Sequence, residues 1–215
     1  MLYLGYCWLR ERLSAEAFSH YLASLPAGSR DKVLRYRRWE DGHRSLYGQL
    51  LLLEGLRALP GPEVSLSEVR YTRFGRPYLD GAIDFNITHS GNLVVCAVSD
   101  AYRVGIDTEE IKPIEVADFA QQWTAQEWGR IQHDPGQWLE FYRFWTRKEA
   151  VVKAEGSGLS VALRTIDVTE DVVPVSGQLW YLTEVKLALN YPTHLATNQP
   201  LLEVIHAQEV SFGGA

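Results

Sequence analysis

At the middle of the chain two short apolar runs, 93–99 (LVVCAVS) and 103–108 (RVGIDT), are separated only by Asp100-Ala101-Tyr102. That spacing predicts a β-hairpin. Helical patterns surround it. Ser14 caps a predicted helix over 15–24, residues 29–39 read as a basic helix, and 41–58 carry an apolar stripe of Leu46, Leu50, Leu53 and Leu56 before Pro60-Gly61-Pro62. Strands are expected at 2–9, 68–72 and 83–87, with turns at Phe74-Gly75-Arg76-Pro77 and His89-Ser90-Gly91-Asn92. The second half repeats the mixture. A helix over 114–122, a capping box opening at Thr124, a helix over 137–154 ended by Glu155-Gly156-Ser157-Gly158, and strands at 163–170, 177–187 and 201–211 are expected. Hairpins interspersed with helices imply an α+β fold rather than a parallel α/β sheet. A boundary after residue 102 divides the chain into halves 1–102 and 103–215 of similar element content.

The net charge of −6 argues against a nucleic-acid-binding protein, which usually carries a basic excess. Arg30, Lys32, Arg35, Arg37, Arg38 and Arg44 nevertheless crowd one stretch. A local cationic patch on an acidic chain suits a small anion better than a polymer, and a solvated helix face is its plainer reading. Cys7 and Cys96 lie in apolar strand-like runs and read as buried free thiols. The start MLYLGYCWLRERL lacks the basic end and long apolar middle of a signal peptide. No apolar run approaches the roughly 18 residues of a membrane span. A cytoplasmic protein with no membrane association is expected.

Certain residues point to chemistry. In Gly105-Ile106-Asp107-Thr108-Glu109, strand alternation puts Asp107 and Glu109 on one face. Two close carboxylates repel unless a cation or proton sits between them, and a hard cation such as Mg²⁺ suits them. In Phe144-Trp145-Thr146-Arg147-Lys148-Glu149-Ala150-Val151-Val152-Lys153, Trp145, Glu149 and Lys153 share one helix face. A plain surface ion pair fits the spacing too, although it sits poorly among so many aromatics. Thr88, His89 and Ser90 in a turn can present polar groups to an anion, and Arg76 in a Pro-fixed turn can meet a phosphate.

The basic helix, the GRP turn, the NITHSG turn, the GIDTE strand and FWTRKEAVVKAEGSGLS occur in that order. In this the chain resembles the 4′-phosphopantetheinyl transferases, specifically the longer monomeric type that activates peptide and polyketide synthetases. The resemblance runs from about residue 29 to residue 160. It implies two similar α/β halves related by a pseudo-twofold, with coenzyme A in the cleft between them. It implies that Asp107, Glu109 and Glu149 hold Mg²⁺ against the diphosphate, and that Glu149 and Lys153 are catalytic. Glu149 is the expected base, with a metal-activated water as the other candidate. Implied coenzyme A contacts are Lys32 with Arg30 and Arg44, then Arg76, Thr88 and His89, then Trp145, Lys148 and Lys153. Glu127 matches an acidic position near the family's site, or is simply the capping-box acid. The implied partner is an acyl or peptidyl carrier protein, modified on serine with release of 3′,5′-ADP. Two other readings stay open here: another Mg²⁺-dependent phosphotransferase or hydrolase, and a non-catalytic coenzyme A-binding module.

Overall fold

The computed structural model describes residues 1–134, 136–156, 158, 162–202 and 204–213. Ser157, Leu159 and Ser160 of the expected motif, and Glu203 of the expected last strand, lie outside them. The first half contains β1 (Leu2–Trp8), α1 (Ala15–Ala23), α2 (Ala27–Leu34), α3 (Trp39–Ala58), the ribbon β2 (Arg70–Tyr71) and β3 (Pro77–Tyr78), then β4 (Asp84–Ser90) and β5 (Leu93–Ser99). The second contains β6 (Val104–Thr108), α4 (Ala125–His133), α5 (Gln137–Glu155), β7 (Val172–Val175), β8 (Gln178–Glu184) and β9 (Thr193–Thr197), followed by β10 (Ala207–Glu209). The sheet orders are β10-β1-β5-β4 and β6-β9-β8-β7. In each half the first strand pairs antiparallel with the last, and the last with the one before it. Each half also lays its longest helix on its sheet, α3 on β1 and β5, α5 on β6 and β9. The chain is α+β with two sheet-containing halves, as the element pattern implies.

The expected central hairpin does not form. β5 pairs with β1 on one side and β4 on the other, so it has no free edge left for β6. Asp100–Tyr102 instead carry the chain to a new sheet. There Ser99 Oγ accepts the Ala101 and Tyr102 N–H groups and donates to Met1 O. The two sheets meet through a cluster that joins Leu4, Leu93, Val95 and Ala97 to Val104, Ile106, Val185 and Leu195.

Alongside that cluster, β4 and β6 are joined by side chains rather than by a backbone ladder. Alternate residues of a strand share a face, and those of β4 facing β6 are all polar. Asp84 Oδ2 accepts Val104 N at 2.8 Å, Asn86 Oδ1 accepts Ile106 N at 3.0 Å and Ser90 Oγ accepts Glu110 N at 3.0 Å. Between them, Thr88 Oγ1 donates to Asp107 Oδ1 at 3.0 Å.

Several element boundaries differ from expectation. Thr88, His89 and Ser90 lie on β4, and only Gly91-Asn92 form the turn, with Gly91 at φ +52°. The 163–170 stretch is a single 3₁₀ turn, Leu163–Thr165, without a strand. β9 has the sequence THLAT and is buried throughout. Its threonines satisfy their hydroxyls inside the protein, Thr193 Oγ1 lying 2.7 Å from Thr108 Oγ1 and Thr197 Oγ1 donating to Gln199 O at 2.8 Å. Among the described residues of the expected last strand, only Ala207–Glu209 form a strand, parallel with β1. Val210 N then donates to Tyr6 O, and the Phe212 ring lies 5.3 Å from that of Tyr47. Residues 207–213 therefore return to the first half, outside the expected division at 102/103. Both cysteines are buried and free.

Removing Asn86 Oδ1 leaves the buried Ile106 N–H without its acceptor. Asn86→Ala is expected to lower unfolding free energy by about 1–3 kcal/mol, read from the urea midpoint at unchanged m-value.

Candidate active site

Gly105 determines how closely α5 can approach β6. A Cβ there would collide with Ala150 O and Ala154 N. The bare glycine lets the helix settle onto the strand and brings Lys153 over its end. Lys153 Nζ lies 2.5 Å from Asp107 Oδ1, 3.1 Å from Thr88 Oγ1 and 3.3 Å from Ile106 O. These contacts collect β4, β6 and α5 at one point. Asp107 is only 4% exposed, and its second oxygen, Oδ2, is buried without a hydrogen-bond partner among the described residues. Glu109 Oε2 accepts from Ser90 Oγ at 2.6 Å.

The acids perturb one another. Burial pushes the Asp107 carboxyl up, against the downward pull of Lys153 and Thr88. Glu109 is raised by burial and by Asp107, with Ser90 opposing. Glu149 is raised by burial, then by Asp107, with Lys153 opposing and Glu109 adding. Among the described residues, however, no group of three or more His, Cys, Asp or Glu side chains is closed tightly enough to hold a metal ion. The expected convergence of Asp107, Glu109 and Glu149 on one ion is thus not assembled. Lys153 engages Asp107, and Ser90 engages Glu109.

His89 points to the other face of β4 from Thr88. It lines a cavity of about 230 Å³ together with Lys32, Arg44, Tyr36 and Tyr71. Arg44 is fixed there by Nε to Gly91 O at 2.8 Å and Nη1 to Asp41 at 2.7 Å. Lys32 Nζ stands 5.9 Å over the Tyr71 ring. Arg30, two residues earlier on α2, does not line this cavity. The expected pairing of Thr88 with His89 on one ligand group gives way to strand alternation, which sends the hydroxyl to Asp107 and the imidazole to the cavity.

Other expected contacts are occupied within the protein. Lys148 is fully enclosed, 2.7 Å from Glu127, which is equally enclosed. Its ammonium also donates to Leu163 O and Ile166 O. Burial lowers its pKa and Glu127 opposes the shift. It is not placed to meet coenzyme A. Glu127 also accepts Thr124 N and Val168 N, so the capping-box acid and the counter-ion of Lys148 are one residue. Trp145 stacks on Phe141 at 5.9 Å and meets Phe119 and Trp123 edge-on, as part of the second half's aromatic cluster. Arg76 makes its hydrogen bonds to Asp84, Val104 O and Lys153 O. Asp84 and Ser90, the partner of Glu109, join the expected residues, and the period-2 polarity of DFNITHS is their signal in the sequence. His194 joins them without any such signal. It lies opposite Asp107 in the β6–β9 pairing, with Nδ1 2.8 Å from Thr146 Oγ1 and Nε2 buried without a partner.

Residues 103–200 match the model of the 4′-phosphopantetheinyl transferase superfamily, and residues 12–101 match that of the 4′-phosphopantetheinyl transferase N-terminal region. A 4′-phosphopantetheinyl transferase of Bacillus subtilis is 33% identical over 160 residues, covering 73% of this chain and 71% of the relative. The chain belongs to the 4′-phosphopantetheinyl transferase superfamily. The transferase Sfp of Bacillus subtilis strain 168 is 32% identical over 164 residues, covering 73% of this chain and 71% of its own. The transferase pptA of Paxillus involutus is 31% identical over 191 residues, covering 75% and 72%. The two matched regions of this transferase-family chain meet at the β5–β6 connection, where the chain passes from one sheet to the other.

Lys148→Met removes the ammonium and leaves a buried carboxylate. It is expected to destabilise the fold by roughly 3–5 kcal/mol in chemical denaturation. The KM for coenzyme A should stay the same at temperatures where the variant is folded. A second expectation concerns acid. Burial, then Arg147 and Arg143, hold the His194 imidazole at about 3, against an ordinary 6.5. The unfolded chain takes up this proton first, so the contribution of His194 is fully present above pH 6.5 and is lost as pH falls from there toward 3. Between pH 6 and pH 5, His194→Gln should flatten the stability–pH slope by up to about 1.4 kcal/mol per pH unit, in matched denaturant titrations.

Proposed function

We propose that this protein transfers the 4′-phosphopantetheine arm of coenzyme A to a serine of an acyl or peptidyl carrier protein, with Mg²⁺, releasing 3′,5′-ADP. The observation that carries the reading is the meeting of Asp107, Thr88 and Lys153 at the junction of the two family-matched halves, with His89 and Arg44 on the opposite face of β4. The donor set suits a hard cation in chemistry and charge. Asp107 Oδ2 is a buried oxygen without a partner among the described residues, and the Glu109 and Glu149 carboxyls are raised by burial and then by neighbouring carboxylates. Asp107, Glu109 and Glu149 would hold Mg²⁺. When bound, the ion would supply positive charge to the diphosphate oxygens of the substrate.

The chain's own groups then have distinct tasks. The wall formed by the cations Lys32 and Arg44 with the His89 imidazole beside them takes the 3′-phosphate end of coenzyme A. The carrier serine oxygen attacks the β-phosphorus, and the bond to the leaving 3′,5′-ADP oxygen breaks. Lys153 offsets charge on the leaving phosphate. Glu149 takes the serine proton, and the raised affinity of its carboxyl for a proton favours this role. Action as a monomer is part of this reading. Among the described residues no helix is long and apolar enough to cross a membrane, and both cysteines are free. These features support a cytoplasmic setting.

Incubation of apo-carrier proteins with coenzyme A and Mg²⁺ should add the mass of one phosphopantetheine group per carrier, and EDTA should prevent it. Asp107→Asn should abolish labelling. Glu149→Gln should lower kcat by about 10²–10⁴-fold, and near-normal turnover at saturating Mg²⁺ would remove Glu149 as the base. Free 3′,5′-ADP without a carrier adduct would identify a hydrolase. Coenzyme A binding without transfer to any carrier would identify a binding module.

A further inference from the structure

Arg76 reaches across the two halves. Its loop is fixed by Thr72, whose Oγ1 accepts the Phe74 and Arg76 N–H groups while Thr72 N donates to Arg76 O. From there the side chain, only 9% exposed, enters the seam. Nε donates to Lys153 O at 2.9 Å. Nη2 donates to both oxygens of Asp84, at 2.9 and 2.7 Å, and to Val104 O at 3.1 Å. Asp84 in turn accepts Val104 N. One guanidinium therefore ties together the start of β4, the start of β6 and the last turn of α5. At that last turn, Gly156 leaves room for it, since a Cβ there would stand 2.8 Å from Arg76 Cδ. A cation at a helix C-terminus is also favoured by the helix dipole.

We propose that Arg76 is a positioning residue of this site. By clamping the Lys153 carbonyl to Asp84 and Val104, it fixes where Lys153 stands over Asp107 and Thr88, and it does not bind a phosphate of coenzyme A. The inference rests on the transferase reading above for its kinetic consequences, and on the geometry alone for its binding consequences. A planar fork satisfies acceptors on three elements at once. A lysine ammonium, a point donor on a flexible stem, does not reproduce that pattern.

The test compares Arg76→Lys with wild type, at a temperature where circular dichroism shows both to be folded. The expected result is a kcat lower by about 10–100-fold, with KM for coenzyme A unchanged. Calorimetric affinity for coenzyme A should be retained, and so should the preference for coenzyme A over 3′-dephospho-coenzyme A. A weaker affinity, a raised KM at unchanged kcat, or loss of that preference would make Arg76 a ligand contact and overturn the proposal. Unchanged kcat and KM together would overturn it equally. Should Arg76→Lys fail to fold, Asp84→Asn keeps the shape and removes the counter-charge. The clamp requires a kcat loss at unchanged coenzyme A affinity, whereas a phosphate-binding Arg76, released from Asp84, would leave kcat intact. If wild type labels no carrier, the transferase reading fails by itself. The proposal is then decided by coenzyme A affinity together with hydrogen exchange of the Val104 and Lys153 amides, which the clamp requires to quicken in Arg76→Lys.

Discussion

The fold depends on how the edge of β6 is satisfied where it meets β4. Buried N–H groups must find acceptors, and β4 offers side chains instead of its backbone. The register is regular: Asp84 serves residue 104, Asn86 serves 106 and Ser90 serves 110. By the same step Thr88 should serve the N–H of Thr108. It instead turns its hydroxyl to Asp107. The candidate site is the one rung at which this ladder bonds a carboxylate instead of a strand amide. Because side chains span the gap, the two sheets remain separate and can pack apolar faces together through Val95, Ala97, Val104 and Ile106.

Two lysines on α5 show what distinguishes a structural ion pair from one that can exchange partners. Lys148 and Glu127 are both fully enclosed, and two carbonyls complete the ammonium's shell. Such a pair is costly to break, because the survivor is left charged and dry. The Lys153 side chain is 28% exposed and that of its partner Asp107 only 5%, so one side of the pair is open to solvent and to an incoming anion. Asp107 keeps a second oxygen without a partner among the described residues. The closed pair anchors the helix to α4 and to the 163–166 segment. The open pair leaves charge available at the junction.

What could be read from the sequence follows what is coded locally. The Ser14 and Thr124 caps and the end of α5 at Gly156 depend on near neighbours, while the meeting of Asp107 with Lys153 was legible only through the family resemblance. Partners chosen across the chain were not legible. LVVCAVS-DAY-RVGIDT has the local signature of a hairpin, yet β5 already has two strand neighbours supplied by residues far away in sequence. THLAT is absent from the expected strands, and the Thr108–Thr193 hydroxyl pair and the Thr146–His194 contact that accommodate its polar residues exist only once the sheet and α5 are assembled. Arg76 and Lys148 looked like phosphate contacts because a cation in a motif does not disclose whether its counter-charge is a ligand or another side chain.

The separation between α5 and β6 is controlled by opposing features. Gly105 removes the side chain that would hold the helix off, so packing density can draw α5 down onto the strand. Lys153 to Asp107 and Arg76 to Lys153 O then limit sliding along the strand, since each bond weakens steeply once its geometry is lost. A larger residue at 105 would lift α5 and stretch both bonds together, although it touches neither charge. Position 105 therefore belongs functionally with the charged residues it sits beside. The chemistry at Asp107 is set as much by an absent methyl group as by the carboxylates themselves.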